Sequence, residues 1–190
     1  MSAFNAAQTR QLLAPIRQER VLLDGKKHSH VSQQDILAHL IRVFGFGGFD
    51  IEVLNSECVF ESERVSDKGV GLNRFDTCYR AMVRLTIRDE HGDVACRYDN
   101  GSTATAQNQT RGDAHDLAYK SAISLSVKRA AIALGDQFGL SLYNKGQLAP
   151  LVRGTLIHPT EQEIPTTDVQ AGVPQQVSLG NDETEQDDPS

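Results

Sequence analysis

Hydrophobic residues recur at two periods along this chain, and each change of period marks an element. Ile36, Leu37, Leu40, Ile41 and Phe44 follow at helical spacing behind Ser32, whose hydroxyl suits a helix N-cap. This predicts an amphipathic helix over residues 33–44, stopped by Gly45. The run Gly45-Phe46-Gly47-Gly48-Phe49 reads as a tight turn with two aromatic side chains, since glycine takes positive φ without steric cost. Ile51 and Val53 then alternate with Asp50 and Glu52, a strand pattern that breaks and resumes at residues 58–60 before a polar loop over 61–73.

Alternation is clearest over residues 79–88. Tyr79, Ala81, Val83, Leu85 and Ile87 take one face of this strand, and Arg80, Met82, Arg84, Thr86 and Arg88 the other. Residues 89–93 have turn chemistry, and Val94, Cys96 and Tyr98 alternate with Ala95, Arg97 and Asp99, which predicts an antiparallel hairpin. A Ser/Thr/Asn/Gln-rich stretch at 101–112 leads to an expected cap at Asp113. Helical spacing then runs from Ala114 to about Phe138, with Gly139 as the stop. Such a helix is roughly 37 Å long. The first thirty residues show only a short helical pattern at Leu12, Leu13 and Ile16, interrupted by Pro15, and read as an arm or a frayed helix. Helix, strands and long helix in this order predict an α+β fold with the long helix lying across a small antiparallel sheet.

Charge divides the 190-residue chain unevenly. Residues 159–190 hold eight acids and no Lys or Arg; of 25 acids, 17 therefore lie in residues 1–158 beside all 19 bases, a net of +2 within a chain total of −6. The body is mildly basic, which permits a phosphate-binding patch. Pro, Gln, Thr and acids dominate from about residue 150 and predict a disordered acidic tail. The expected division is an arm at 1–27, one domain at 28–150 and the tail at 151–190. No apolar run approaches the roughly 18 residues of a membrane span, and residues 1–20 lack a signal-peptide core. Cys58, Cys78 and Cys96 fit neither a disulfide framework nor a metal knuckle. The expectation is a cytoplasmic protein with free thiols and no membrane partner.

Catalytic motifs are lacking. The six His and three Cys form no HExxH, deaminase or Gly-x-Ser-x-Gly pattern, and there is no P-loop. His28-Ser29-His30 reads more readily as a surface pair than a metal site, and Asp113, His115 and Asp116 as helix-start residues than as a hydrolase site. No enzyme activity, metal or cofactor is expected. Binding fits better. Arg80, Arg84 and Arg88 stand on one strand face over a span of about 26 Å at 3.3 Å per residue, and could follow successive phosphates. Lys120, Ser124 and Lys128 recur every four residues on the long helix, with Arg129 beside them and Arg111 just before, as a second basic ridge. Phe46 and Phe49 could stack on bases or enter the core.

Three segments in this order resemble the Rad52 family of single-strand annealing proteins. The run from Val31 to Phe49, ending Val43-Phe-Gly-Phe-Gly-Gly-Phe, is similar to that family's first helix and glycine-aromatic turn. Val83-Arg-Leu-Thr-Ile-Arg-Asp-Glu-His-Gly92 is similar to its second strand and turn, and Tyr119-Lys-Ser-Ala through Val127-Lys-Arg-Ala-Ala to Gly139 to its long helix.

The resemblance implies a β-β-β-α core assembling into a homo-oligomeric ring, with single-stranded DNA in an outer basic groove, backbone inward and bases free to pair. It implies annealing in recombination or repair without ATP or metal, in a compact bacterial or phage-type member. Lys128 and Arg129 match the inner-groove phosphate contacts, Arg88 a basic position of an outer site, and Phe46 a groove aromatic. Asp35 stands where the family has a DNA-contacting Arg, Ile132 replaces another, and Asn108 and Gln109 stand where it has lysines. The groove is therefore expected to be less positive, with Lys26 and Lys27 nearest to compensate. The tail is expected to be a handle for a single-strand-binding protein or an exonuclease, a competitor with DNA for the groove, or a solubility element. The alternative reading is a self-assembling structural protein without DNA activity.

Overall fold

A computed structural model describes residues 4–25, 27–65 and 73–157. Its elements are α1 (Ala6–Leu13), β1 (Leu22–Leu23), β2 (Ser29–His30), α2 (Gln33–Phe44), β3 (Phe49–Arg64), β4 (Arg74–Arg88), β5 (Val94–Gln109) and α3 (Arg111–Ala131), followed by three short 3-10 turns between residues 132 and 143. Strands β3, β4 and β5 form one antiparallel sheet in that order, and β1 pairs with β2 in a separate small hairpin. The α+β architecture of a small sheet against one long helix is the one expected.

β4 lies between β3 and β5, and its inward side chains build the core. Val83, Leu85 and Ile87 are fully buried, and they share the core with Leu40, Val127, Ala131 and Phe138. Burying each large side chain contributes about 1.5–3 kcal/mol. Small residues bring α3 close to the sheet: Ala106 on β5 meets Ala114 and Ala118 on α3. Two hydroxyls then pin the helix, with Thr77 donating to the Ala114 carbonyl at 2.8 Å and Ser126 to the Ala81 carbonyl at 3.0 Å.

α2 occupies the expected residues, with the Ser32 hydroxyl accepting from the Asp35 N–H. In the turn that follows, Gly45 has φ 81°, and a Cβ on Gly48 would lie 2.0 Å from the Phe44 carbonyl oxygen. Elsewhere the boundaries differ from the sequence pattern. β3 is one 16-residue strand with register shifts at Val53/Asn55 and Cys58/Phe60. Each irregularity displaces the alternation, so the pattern stops and restarts within one strand. The polar stretch after residue 100 is strand: β5 runs to Gln109 as an edge whose outer side needs no apolar residues.

α3 is capped by Thr110, whose hydroxyl accepts from the Asp113 N–H and donates to the Asp113 carboxylate; Asp113 lies in the first turn. The helix ends at Ala131, and 21 residues span about 32 Å. Gly135, at φ 106°, turns the chain before the pattern expected to reach Phe138 is complete.

The N-terminal segment is tied down. α1 has a reciprocal Asn5/Gln8 capping box, and Ile16 enters the main core. Gln137 donates to the carbonyls of Ala14 and Pro15, while Arg20 donates to Gln137 and to both carboxylate oxygens of Asp35. The tail beyond residue 157 lies outside the described residues. No helix among the described residues is long and apolar enough to cross a membrane.

Candidate nucleic-acid interface

Lys128 and Arg129 occupy the last turn of α3, where cations favour the helix dipole. Both line a cleft of roughly 790 Å³ walled also by the β1–β2 hairpin and the turn around Gly139 and Gly146. Lys128 is half-buried, and desolvation holds its ammonium below the ordinary lysine value. Arg129 is exposed. Neither has a carboxylate partner among the described residues. Lys27 and Lys145 line the same cleft, both with left-handed backbone, at φ 63° and 57°.

The other bases singled out from sequence are differently placed. Arg80, Arg84 and Arg88 share the sheet face turned away from α3, each beside a carboxylate from a neighbouring strand. Arg80 donates to Glu57 at 2.8 Å, Arg84 to Asp99 at 2.8 and 2.6 Å, and Arg88 to Asp50 at 2.9 and 2.7 Å. The Arg84 pair lifts the guanidinium above its usual value and lowers the Asp99 carboxyl. Lys120 donates to Asp116 at 2.8 Å, four residues back on α3. Arg111 pairs with Glu61 at 3.1 Å and lies over the Phe75 ring.

Phe46 projects from the α2–β3 turn at 90% exposure, whereas Phe49 packs against the core. Asp35, which replaces an expected Arg, is neutralised by Arg20 at 2.7 Å. A second depression of about 470 Å³ joins Arg129 to Arg80 and Met82 around the β5 edge at Gly101.

His115 does not meet Asp116: its ring lies between the Tyr79 hydroxyl at 3.0 Å and the Glu61 carboxylate at 2.5 Å. No group of three or more His, Cys, Asp or Glu among the described residues could hold a metal ion. The structure thus brings Lys128 and Arg129 together in one cleft, and Arg129 also borders Arg80 at one end of the arginine stripe, while Arg84 and Arg88 line neither depression. Sequence patterning missed the hairpin wall, because two-residue strands carry no detectable alternation, and missed Lys145, which has no pattern around it.

The sequence matches the family model described as Rad52/22 family double-strand break repair protein over residues 7–153. It is also 29% identical over 110 residues to the DNA repair and recombination protein RAD52 of Kluyveromyces lactis, a match covering 58% of this chain and 23% of that protein. The chain thus matches about a quarter of the length of that curated relative. The family match takes in α1 through the turns after α3, and with it the whole sheet and the cleft. By that match, the chain belongs to the Rad52/22 family of double-strand break repair proteins.

Proposed function

We propose that this chain binds single-stranded DNA through its backbone in the cleft and promotes annealing of complementary strands in recombination or repair. One observation carries the reading: Lys128 and Arg129 are adjacent, unpaired cations lining an open cleft, while five other singled-out bases are each held by a carboxylate. Cations fixed against phosphates give affinity without reading sequence, which leaves the bases available to pair. The chemistry asks for neither ATP nor metal, since pairing itself supplies the free energy.

Arg80, Arg84 and Arg88 form a weaker surface for a second strand, which must compete with Glu57, Asp99 and Asp50. Phe46 offers a stacking ring, and Lys120 and Arg111 extend the basic ridge. The long β3 and β5 edges support a ring-forming homo-oligomer, because unpaired strand edges add neighbours. Those edges also favour a second reading, self-assembly without DNA, since Val53, Leu54, Val59 and Phe60 on β3 are exposed.

Annealing of two complementary fluorescent oligonucleotides, without nucleotide or metal and across a salt series, separates the two. The proposed function predicts acceleration over the protein-free rate, lost as salt rises, and weaker binding with a shallower salt slope in Lys128→Ala/Arg129→Ala. No binding at low salt would move the assembly reading to first place.

A further inference from the structure

The β1–β2 hairpin contributes Lys27, His28, Ser29 and His30 to the same cleft as Lys128 and Arg129. Its loop is closed by the Lys27 N–H donating to the Asp24 carbonyl at 2.9 Å and the Asp24 N–H to the His28 carbonyl at 3.0 Å. A hairpin loop closed in this way needs a left-handed residue at its third position, where glycine is the unstrained choice. Here that residue is Lys27, at φ 63°. A lysine costs on the order of 1 kcal/mol in that conformation, and local strain of this kind concentrates at functional sites. Lys27 is exposed and has no carboxylate partner among the described residues. The hairpin is seated firmly, since a Cβ on Gly146 would come within 2.9 Å of the Ser29 hydroxyl.

We propose that this hairpin is a phosphate-binding wall of the site, with Lys27 contacting the nucleic-acid backbone and His28 and His30 adding positive charge when protonated. The proposal rests on the single-strand-binding reading above. The charged and titratable groups around the two imidazoles are Lys128 and Arg129 of α3, Tyr143 and Lys145 of the following turns, and Asp24 and Lys27 of the hairpin itself. Asp24 is the one acid among these, and its carboxylate lies 3.1 Å from His28 Nδ1. Phosphates brought beside an imidazole favour its protonated form. The added affinity is therefore greater at pH 6 than at pH 8.

The test is binding of a labelled oligothymidine to the full chain, followed by anisotropy across salt and from pH 8 to pH 6. Lys27→Gly places the unstrained residue in the loop, so its melting temperature should match or exceed that of the parent. Its affinity should nevertheless fall several-fold, with the salt slope reduced by about 0.7, the value for one phosphate contact on a single strand. The parent should bind more tightly as pH falls, and His28→Gln/His30→Gln should lose that dependence while still binding at pH 8. If Lys128→Ala/Arg129→Ala weakens binding but Lys27→Gly and the histidine variant behave as the parent at every pH and salt, the hairpin proposal is overturned and the site stands. If the parent does not bind, or the α3 double variant binds as well as the parent, the site reading fails and the hairpin proposal with it.

Discussion

His39 shows what burial does to one side chain. It lies on the buried face of α2, 1% exposed, with its ring edge-on to Phe138. Arg42 can only donate, so the His39 Nδ1, 3.0 Å away, must accept, and the proton sits on Nε2, which has no hydrogen-bond partner among the described residues. Desolvation, reinforced by Arg20 and Arg42 and opposed by Asp35, pushes the imidazole down to about 4. The folded value lies below the unfolded one near 6.5, so the unfolded chain takes up the proton first as pH falls. Stability from this residue is complete above pH 6.5 and is lost between there and pH 4, on the order of 3 kcal/mol. Urea unfolding at pH 7 and pH 5 should show a smaller loss for His39→Gln than for the parent. An equal loss in both would assign the pH dependence to other groups.

α3 depends on its first turn as well as on its core face. The Thr110 hydroxyl satisfies a backbone donor that would otherwise have none, and Asp113 adds a carboxylate near the positive end of the helix dipole. Thr110→Ala should therefore lower stability by about 1 kcal/mol, read as a shifted urea midpoint at unchanged m-value. Because Lys128 and Arg129 lie on the opposite end of α3, single-strand affinity should be unaffected at temperatures where the variant is folded. A loss of affinity would mean that the helix start takes part in binding, through Arg111. The sheet is held in the same layered way, with two register shifts in β3 fitting a 16-residue strand to its neighbour.

Across the whole molecule, charge placement matters more than net charge. The chain total is −6, but the 32 residues from 159 onward hold eight acids and no Lys or Arg, leaving +2 on the remainder. Acids on the same chain compete with phosphate for basic sites, most strongly when salt is low. Removing residues 159–190 should tighten single-strand binding at low salt and leave it unchanged at high salt. Equal affinity of the shortened and full chains at low salt would show that the tail does not reach the cleft.

Local features were legible without the fold. The helix at 33–44, the glycine turn after it, the strict alternation of β4 and the adjacent Lys128 and Arg129 are all short-range patterns, set by periods of two and 3.6 residues and by glycine's freedom at positive φ. Long-range pairing was not legible. The partners of Arg84, Arg80 and Arg88 lie 15, 23 and 38 residues away along the chain, and strand register brings them together. A basic stripe in sequence therefore became a set of ion pairs, while two cations near the helix end kept their charge free. Lys27 joined them for the same reason: a hairpin of two-residue strands leaves no trace in hydrophobic period, and its place beside α3 comes from packing across a hundred residues of chain.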